Sequence, residues 1–198
     1  MRIGVLAIQG DFREHRRALE SLNVEVVEVR LPKDLNGLSG LIVPGGESTT
    51  IGRLAREFGL ESAVRERFQK GTLALWGTCA GAIWLARIIE GRPHQEHLGV
   101  FDATVSRNAY GRQIDSFVTP IDIPDLHLKE FPVAFIRAPG LLRVGASVKV
   151  LAEHEKQIVL AREGLALIST FHPELSTGAA PIHDYFVREM AASVSPES

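Results

Sequence analysis

A single cysteine, Cys79, stands in a chain of 198 residues, so no intramolecular disulfide can form, which fits a reducing cytosol. Neither sign of charge is in excess. The formal net charge of −2 gives no electrostatic case for binding nucleic acid or an anionic membrane. No apolar run approaches the roughly 20 residues that a membrane helix needs. The apolar segment at 3–8 is too brief for a signal sequence. Asp11, Arg13 and Glu14 follow it at once, and no small-residue cleavage site stands out. Internal repeats, low-complexity linkers and a clear domain boundary are lacking too. What these absences leave is a soluble cytoplasmic protein, one domain over residues 1–198, with length enough for one substantial core.

The first half of the chain is rhythmic. Apolar runs at 3–8, 24–29, 41–43 and 72–76 are short and branched, as buried strands are. Between them Phe12, Ala18, Leu19 and Leu22, then Ile51, Leu54 and Phe58, recur near helical spacing, and a further helical stretch through Val64 and Phe68 stops at Gly71. A helix over 82–89 follows the fourth run. This order predicts an α/β fold in three layers, a mostly parallel central sheet with helices on both faces. Strands are predicted later at 100–105, 114–123, 133–136, 148–152, 157–161 and 165–171, with a hairpin at His154-Glu155-Lys156 and a closing helix at 182–192.

Gly77-Thr78-Cys79-Ala80-Gly81 sits between the strand at 72–76 and the helix after it. Strand, tight Gly-x-nucleophile-x-Gly turn and helix form a nucleophile elbow, here with sulfur in place of a serine oxygen. The thiol at such a turn faces unpaired N–H groups, a setting that favours negative charge. A cysteine nucleophile needs a base, and the base needs an orienting partner. Of seven histidines, His172 is best placed, at the end of the strand over 165–171. Glu174 lies two residues on, and in an extended backbone it would project to the same side as the imidazole and accept its hydrogen bond. An oxyanion needs donors: the N–H of Ala80 is one, and the Gly45-Gly46-Glu47-Ser48 loop offers a second. His94 and His97 have ligand-like spacing, yet Pro93 and Gly99 mark a loop and no third ligand is evident, so no metal site is expected.

Pro44-Gly45-Gly46-Glu47-Ser48-Thr49-Thr50, Gly77-Thr78-Cys79-Ala80-Gly81 and His172-Pro173-Glu174-Leu175 together resemble a class I, triad-type glutamine amidotransferase, a flavodoxin-like fold. Gln9-Gly10 with Glu14-His15, Arg107-Asn108-Ala109-Tyr110-Gly111-Arg112-Gln113, and Phe135-Ile136-Arg137-Ala138-Pro139 narrow the resemblance to the glutaminase subunits of pyridoxal 5′-phosphate synthase, the PdxT/SNO family. The resemblance implies that Cys79 attacks the side-chain amide of L-glutamine, with His172 and Glu174 as base and orienter. It implies Gly46 and Ala80 as oxyanion donors, and Gly46, Glu47, Ser48, Arg107, Ile136 and Arg137 as the glutamine site, with no cofactor. An arginine beside the amino-acid carboxylate and an acid beside its ammonium are what zwitterion recognition asks for.

A partner is implied as well. Ammonia released into neutral water is mostly ammonium and no nucleophile, so such a glutaminase has reason to dock on its consumer. The resemblance names that partner as a (β/α)8-barrel synthase subunit making pyridoxal phosphate from ribose 5-phosphate and glyceraldehyde 3-phosphate. It also implies a poorly active isolated subunit whose Gly45-Gly46 peptide is remodelled by docking. Gln9-Gly10 and the helix bearing Glu14 and His15 are candidates for the docking face. A γ-glutamyl peptide hydrolase, the glutaminase of another synthase, and a catalytically silent α/β module remain the rival readings.

Overall fold

Each apolar run becomes the element its period dictates, with a few exceptions set by tertiary pairing. The computed structural model describes residues 1–107, 116–176 and 180–195. Its first half runs β1 (Arg2–Leu6), α1 (Phe12–Glu20), β2 (Glu25–Val29), β3 (Gly40–Val43), α2 (Ser48–Glu57), α3 (Leu60–Gln69), β4 (Ala74–Thr78) and α4 (Ala80–Leu85). Strands then dominate: β5 (Ala86–Ile89), β6 (Phe101–Ser106), β7 (Phe117–Ile123), β8 (Leu128–Phe135), β9 (Gly140–Val144), β10 (Lys149–His154), β11 (Gln157–Glu163) and β12 (Ala166–Ser169). The chain closes with α5 (Pro181–Tyr185), which widens into a π-helical turn at Phe186–Met190 and tightens again at Ala191–Ser193.

The main sheet has the order β2-β1-β3-β4-β12-β11-β9-β6-β5, with β10 also pairing with β11. From β2 to β12 the pairings are all parallel, and beyond β12 antiparallel pairs take over until β6 and β5, which are again parallel. Side chains alternate along the parallel strands with period two. Ile3, Val5, Ile42, Ala74, Trp76 and Leu167 enter one core, under α1, α5 and the separate β7–β8 hairpin. Leu41, Val43, Leu75 and Ile168 enter the other, under α2, α3 and α4. Two buried cores separated by one sheet are the predicted three layers. No helix among the described residues is long and apolar enough to cross a membrane.

The helix predicted over 82–89 ends at Leu85, and 86–89 is the edge strand β5. Trp84, Leu85, Ile88 and Ile89 do have helical spacing. The carbonyls that a continuing helix would use are instead taken by Leu98 and Val100, whose N–H groups bond Trp84 O at 2.7 Å and Leu85 O at 2.9 Å. Pairing with β6 then outweighs local periodicity, in line with the β-branched Ile88 and Ile89. Strand β9 has no counterpart in the sequence reading, and β8 starts five residues before the predicted 133. The hairpin at His154-Glu155-Lys156 forms, with φ of 48° at Glu155 and 65° at Lys156, the doubly positive turn that matches strand twist.

Candidate active site

Strand β4 delivers Cys79 to a turn that no ordinary residue favours. Its φ of 48° and ψ of −104° fall outside the regions open to L-residues, a strain of order 1–3 kcal/mol that the surrounding packing must hold. The turn is held tightly on both sides. Cys79 N donates to Ser169 O of β12 at 2.8 Å. A Cβ at Gly81 would lie 2.0 Å from the carbonyl oxygen of Val43, and one at Gly77 would lie 2.5 Å from the Gly81 carbonyl. Both flanking glycines are therefore steric requirements of the elbow. The thiol is buried, with Sγ 3.7 Å from the carbonyl oxygen of Ile136, which it meets as a donor.

The strand carrying His172 stops earlier than its apolar run suggests, at Ser169. His172 caps a 3-10 turn at Pro173–Leu175, its N–H donating to Ala134 O of β8 at 2.8 Å. Glu174 thus reaches the imidazole by the curl of this turn and not along an extended backbone. Nδ1 of His172 lies 2.7 Å from Oε1 of Glu174, whose side chain is fully buried. Burial pulls the imidazole pKa down, but hydrogen bonding to Cys79 and Glu174 and the charge of Glu174 outweigh it and lift it to about 10. Burial pushes the Glu174 carboxyl upward, and the His172 contact partly offsets that. The influence of Cys79 on the His172 imidazole and the His172–Glu174 hydrogen bond make the three side chains neighbours in one site.

Behind Glu174 lies a layer of polar groups from α1 and α5. His15, with no exposed surface, places Nε2 3.1 Å from Thr78 Oγ1 and 3.3 Å from Glu174 Oε2. Its Nδ1 faces His183 Nε2 at 2.9 Å, and the ring of Trp76 packs edge-on against both imidazoles. The His15 side chain is interior, so it is not among the groups of α1 that a docking partner could touch directly. His183 is buried as well. The signal for either would have been a histidine on the apolar face of its helix.

The loop after β3 closes the site from the other side. Gly45 O accepts from Asp11 N at 3.1 Å, and Glu47 N donates to the Gln9 side chain at 2.8 Å. A Cβ at Gly45 would sit 2.4 Å from Cε1 of His172, so this loop lies directly on the imidazole. Glu47 caps α2 by accepting from Thr50 N at 3.0 Å, and also accepts from the Thr49 hydroxyl. Its other oxygen accepts from Arg107 Nη2 at 2.7 Å. Burial raises the Glu47 pKa, but the threonine hydrogen bonds and Arg107 hold it below the usual carboxylate range. Gln95 binds both Ser48 Oγ (3.0 Å) and Arg107 Nη1 (3.4 Å), a link absent from the sequence reading. Ala80 opens α4 beside the sulfur, Gly46 adopts a φ of 150°, and Arg137 is exposed with a φ of 47° next to the Ile136 carbonyl. The rest of the Arg107 run, 108–113, lies outside the described residues.

Asp11, His172 and Glu174 bring ligand-type atoms within 4.8 Å of one another, but the His172 Nδ1 that faces them is engaged with Glu174. His97 faces two backbone carbonyls, Gln95 O at 2.7 Å and Arg87 O at 3.2 Å, and His94 is exposed.

Known proteins match this chain over nearly its whole length. Residues 5–192 match the SNO glutamine amidotransferase family. The pyridoxal 5′-phosphate synthase subunit PdxT of Thermus thermophilus is 58% identical over 185 residues, 93% of this chain and 95% of the relative. The subunit of the same name from Deinococcus radiodurans is 54% identical, covering 89% and 91%. A crystal structure described as a glutamine amidotransferase superposes with a TM-score of 0.91 at 54% identity, over 96% of this chain and 98% of its own. PurLQS from Thermotoga maritima, at 15% identity and a TM-score of 0.69 over 95% and 97%, shares the fold. With the elbow, the buried imidazole–carboxylate pair and this full-length identity in hand, the chain belongs to the SNO glutamine amidotransferase family.

Proposed function

We propose that Cys79, His172 and Glu174 hydrolyse L-glutamine to L-glutamate and ammonia. The observation that carries this is the 2.7 Å contact between His172 and Glu174 beside a cysteine held in a strained elbow. The Cys79 sulfur attacks the side-chain amide carbon of glutamine, and the oxyanion that forms is held by the N–H groups of Ala80 and Gly46. The C–N bond then breaks as His172 gives its proton to the leaving nitrogen, releasing ammonia and a γ-glutamyl thioester. His172 next takes a proton from water, whose oxygen attacks the thioester; the C–S bond breaks and glutamate leaves. Glu174 holds the imidazole tautomer and balances its charge throughout.

Gly46, Glu47, Ser48, Arg107, Ile136 and Arg137 form the glutamine site. Glu47 takes the substrate ammonium and Arg107 its carboxylate, while main-chain groups of Ile136 and Arg137 close the pocket. No cofactor takes part. The chain is the glutaminase subunit of a pyridoxal 5′-phosphate synthase, a role supported by the names of its full-length relatives. It works in the cytoplasm as one domain over residues 1–198, delivering ammonia to a (β/α)8-barrel synthase subunit, and binds no nucleic acid.

Glutamate release from glutamine, measured with and without the synthase subunit and with Cys79→Ala alongside, tests the reading. Strong stimulation that the substitution abolishes supports both the thiol chemistry and the partner. Turnover indifferent to the synthase subunit removes the assigned pathway, and turnover surviving Cys79→Ala removes the mechanism.

A further inference from the structure

We propose that His15 is a positioning residue for glutamine hydrolysis, its Nε2–H holding the oxygen of Glu174 that His172 leaves unbound. The inference rests on the Cys79–His172–Glu174 reading and goes one layer behind it. Glu174 spends Oε1 on His172, while Oε2 is sealed from solvent with no in-line hydrogen bond among the described residues. A buried carboxylate oxygen left in that state is costly, and more so when the neighbouring imidazole carries a proton and the carboxylate a full charge. His15 Nε2 lies 3.3 Å away, its hydrogen shared toward Thr78 Oγ1 at 3.1 Å. Catalytic hydrogen bonds are often long or misaligned before substrate binds, and a small rotation of this ring transfers the hydrogen to Oε2.

The tautomer follows from the two ends of the histidine chain. His183 has a buried Nδ1 with no partner among the described residues. If His15 carried its proton on Nδ1 and gave it to His183 Nε2, then His183 would hold a buried N–H with nothing to accept it. The lone pair on His15 Nε2 would also face the carboxylate. The opposite arrangement avoids both faults: His183 Nε2–H donates to His15 Nδ1, and His15 Nε2–H points at Glu174 and Thr78. Burial, with the charges of His183 and His172, holds the His15 pKa well below its ordinary value, so the ring stays neutral and works as a fixed donor. Glu174 is faced by His172 from its own turn, by His15 from α1 and by Asp11 at the head of α1. Losing the His15 donor disfavours the ionised carboxylate, so its protonation moves to higher pH.

The test is glutamine turnover against pH by the chain together with the synthase subunit, for His15→Leu, His15→Gln and His15→Asn. A glutamine amide reaches the place of Nε2, whereas an asparagine is too short to reach it. One lost charged hydrogen bond predicts that His15→Leu and His15→Asn lower kcat by about tenfold, with KM for glutamine nearly unchanged. The acid limb of kcat/KM moves up by about one pH unit, and His15→Gln restores most of the rate and the profile. If His15→Leu does not fold, the Gln and Asn pair alone carries the comparison. Equal losses in Gln and Asn, or an unmoved acid limb, overturn the proposal. Glu174→Gln separates this from the triad itself. If it abolishes turnover while all three His15 variants stay fully active, only the role of His15 falls. If Glu174→Gln is itself fully active, both readings fall.

Discussion

Arg107 and Glu47, separated by 60 residues of chain, meet at 2.7 Å. Each is only partly exposed, and each is also fixed by a neighbour: Arg107 by Gln95, and Glu47 by the first turn of α2. In this structure they neutralise one another. An amino acid carries the same two charges in complementary places, so glutamine entering here would exchange one ion pair for two.

That exchange predicts where Arg107 acts. With Arg107 holding the glutamine carboxylate as proposed, Arg107→Ala would remove charged hydrogen bonds made equally to the bound substrate and to its transition state. KM for glutamine then rises about tenfold to a hundredfold, from about 1.5–3 kcal/mol per charged hydrogen bond, and kcat changes little. Arg107→Lys keeps the charge but loses the planar fork, and falls between the two. Steady-state kinetics of glutamate release check this; a loss confined to kcat would place Arg107 in the chemistry instead.

Gly45 should be intolerant for a reason unrelated to folding. A methyl group there would stand 2.4 Å from Cε1 of His172, so either the loop or the imidazole moves. Displacing a reacting group by about 1 Å costs on the order of a hundredfold in rate. Gly45→Ala is expected to lower kcat by about that factor, with no more than the roughly 1–3 kcal/mol stability loss of local overpacking. Calorimetry beside the rate measurement distinguishes a moved imidazole from a damaged fold.

How much of this was readable beforehand depended on where the physical cause lies. The elbow was legible because its glycines, its nucleophile and its flanking strand and helix are adjacent in sequence. The contact between His172 and Glu174 was legible for the same reason, although a 3-10 turn and not extended chain joins them. The helix beyond Leu85 was misread because its periodicity is genuine; Leu98 and Val100, which claim its carbonyls, lie a loop away. The place of His15 on the apolar face of its helix signals burial, but nothing near it in sequence shows that Trp76, His183 and Glu174 converge on it. Gln95 was invisible likewise, its two partners Ser48 and Arg107 coming from separate elements.

The backbone at Cys79 gives a stability test independent of activity. At an ordinary position glycine is less stable than alanine by about 0.5–1 kcal/mol, because the unfolded chain has more freedom to lose. At φ 48° and ψ −104° an alanine keeps the strain that a glycine escapes. Cys79→Gly is therefore expected to melt at or above the temperature of Cys79→Ala, and both to lack glutaminase activity. The usual order, alanine clearly the more stable, would show that the elbow is not strained.

The buried histidines set the acid side of the stability profile. Burial lowers the His183 pKa from its ordinary 6.5 to about 3, and lowers that of His15 as well. For a base whose folded pKa is lowered, the unfolded chain binds the extra proton. The stability from its neutral form is then whole above about pH 6.5 and lost as pH falls toward 3. His172 acts in the opposite direction: its pKa is raised to about 10, so its contribution is whole below pH 6.5 and lost as pH rises through 10. One proton taken up on unfolding corresponds to a slope of about 1.4 kcal/mol per pH unit. Replacing His183 with asparagine should remove roughly one proton from the acid limb of unfolding free energy against pH, leaving the alkaline limb in place. Denaturant titrations from pH 4 to pH 10 read both limbs at once. An unchanged acid slope in His183→Asn would mean that His183 is already protonated in the folded chain, against the neutral, fully buried ring described above.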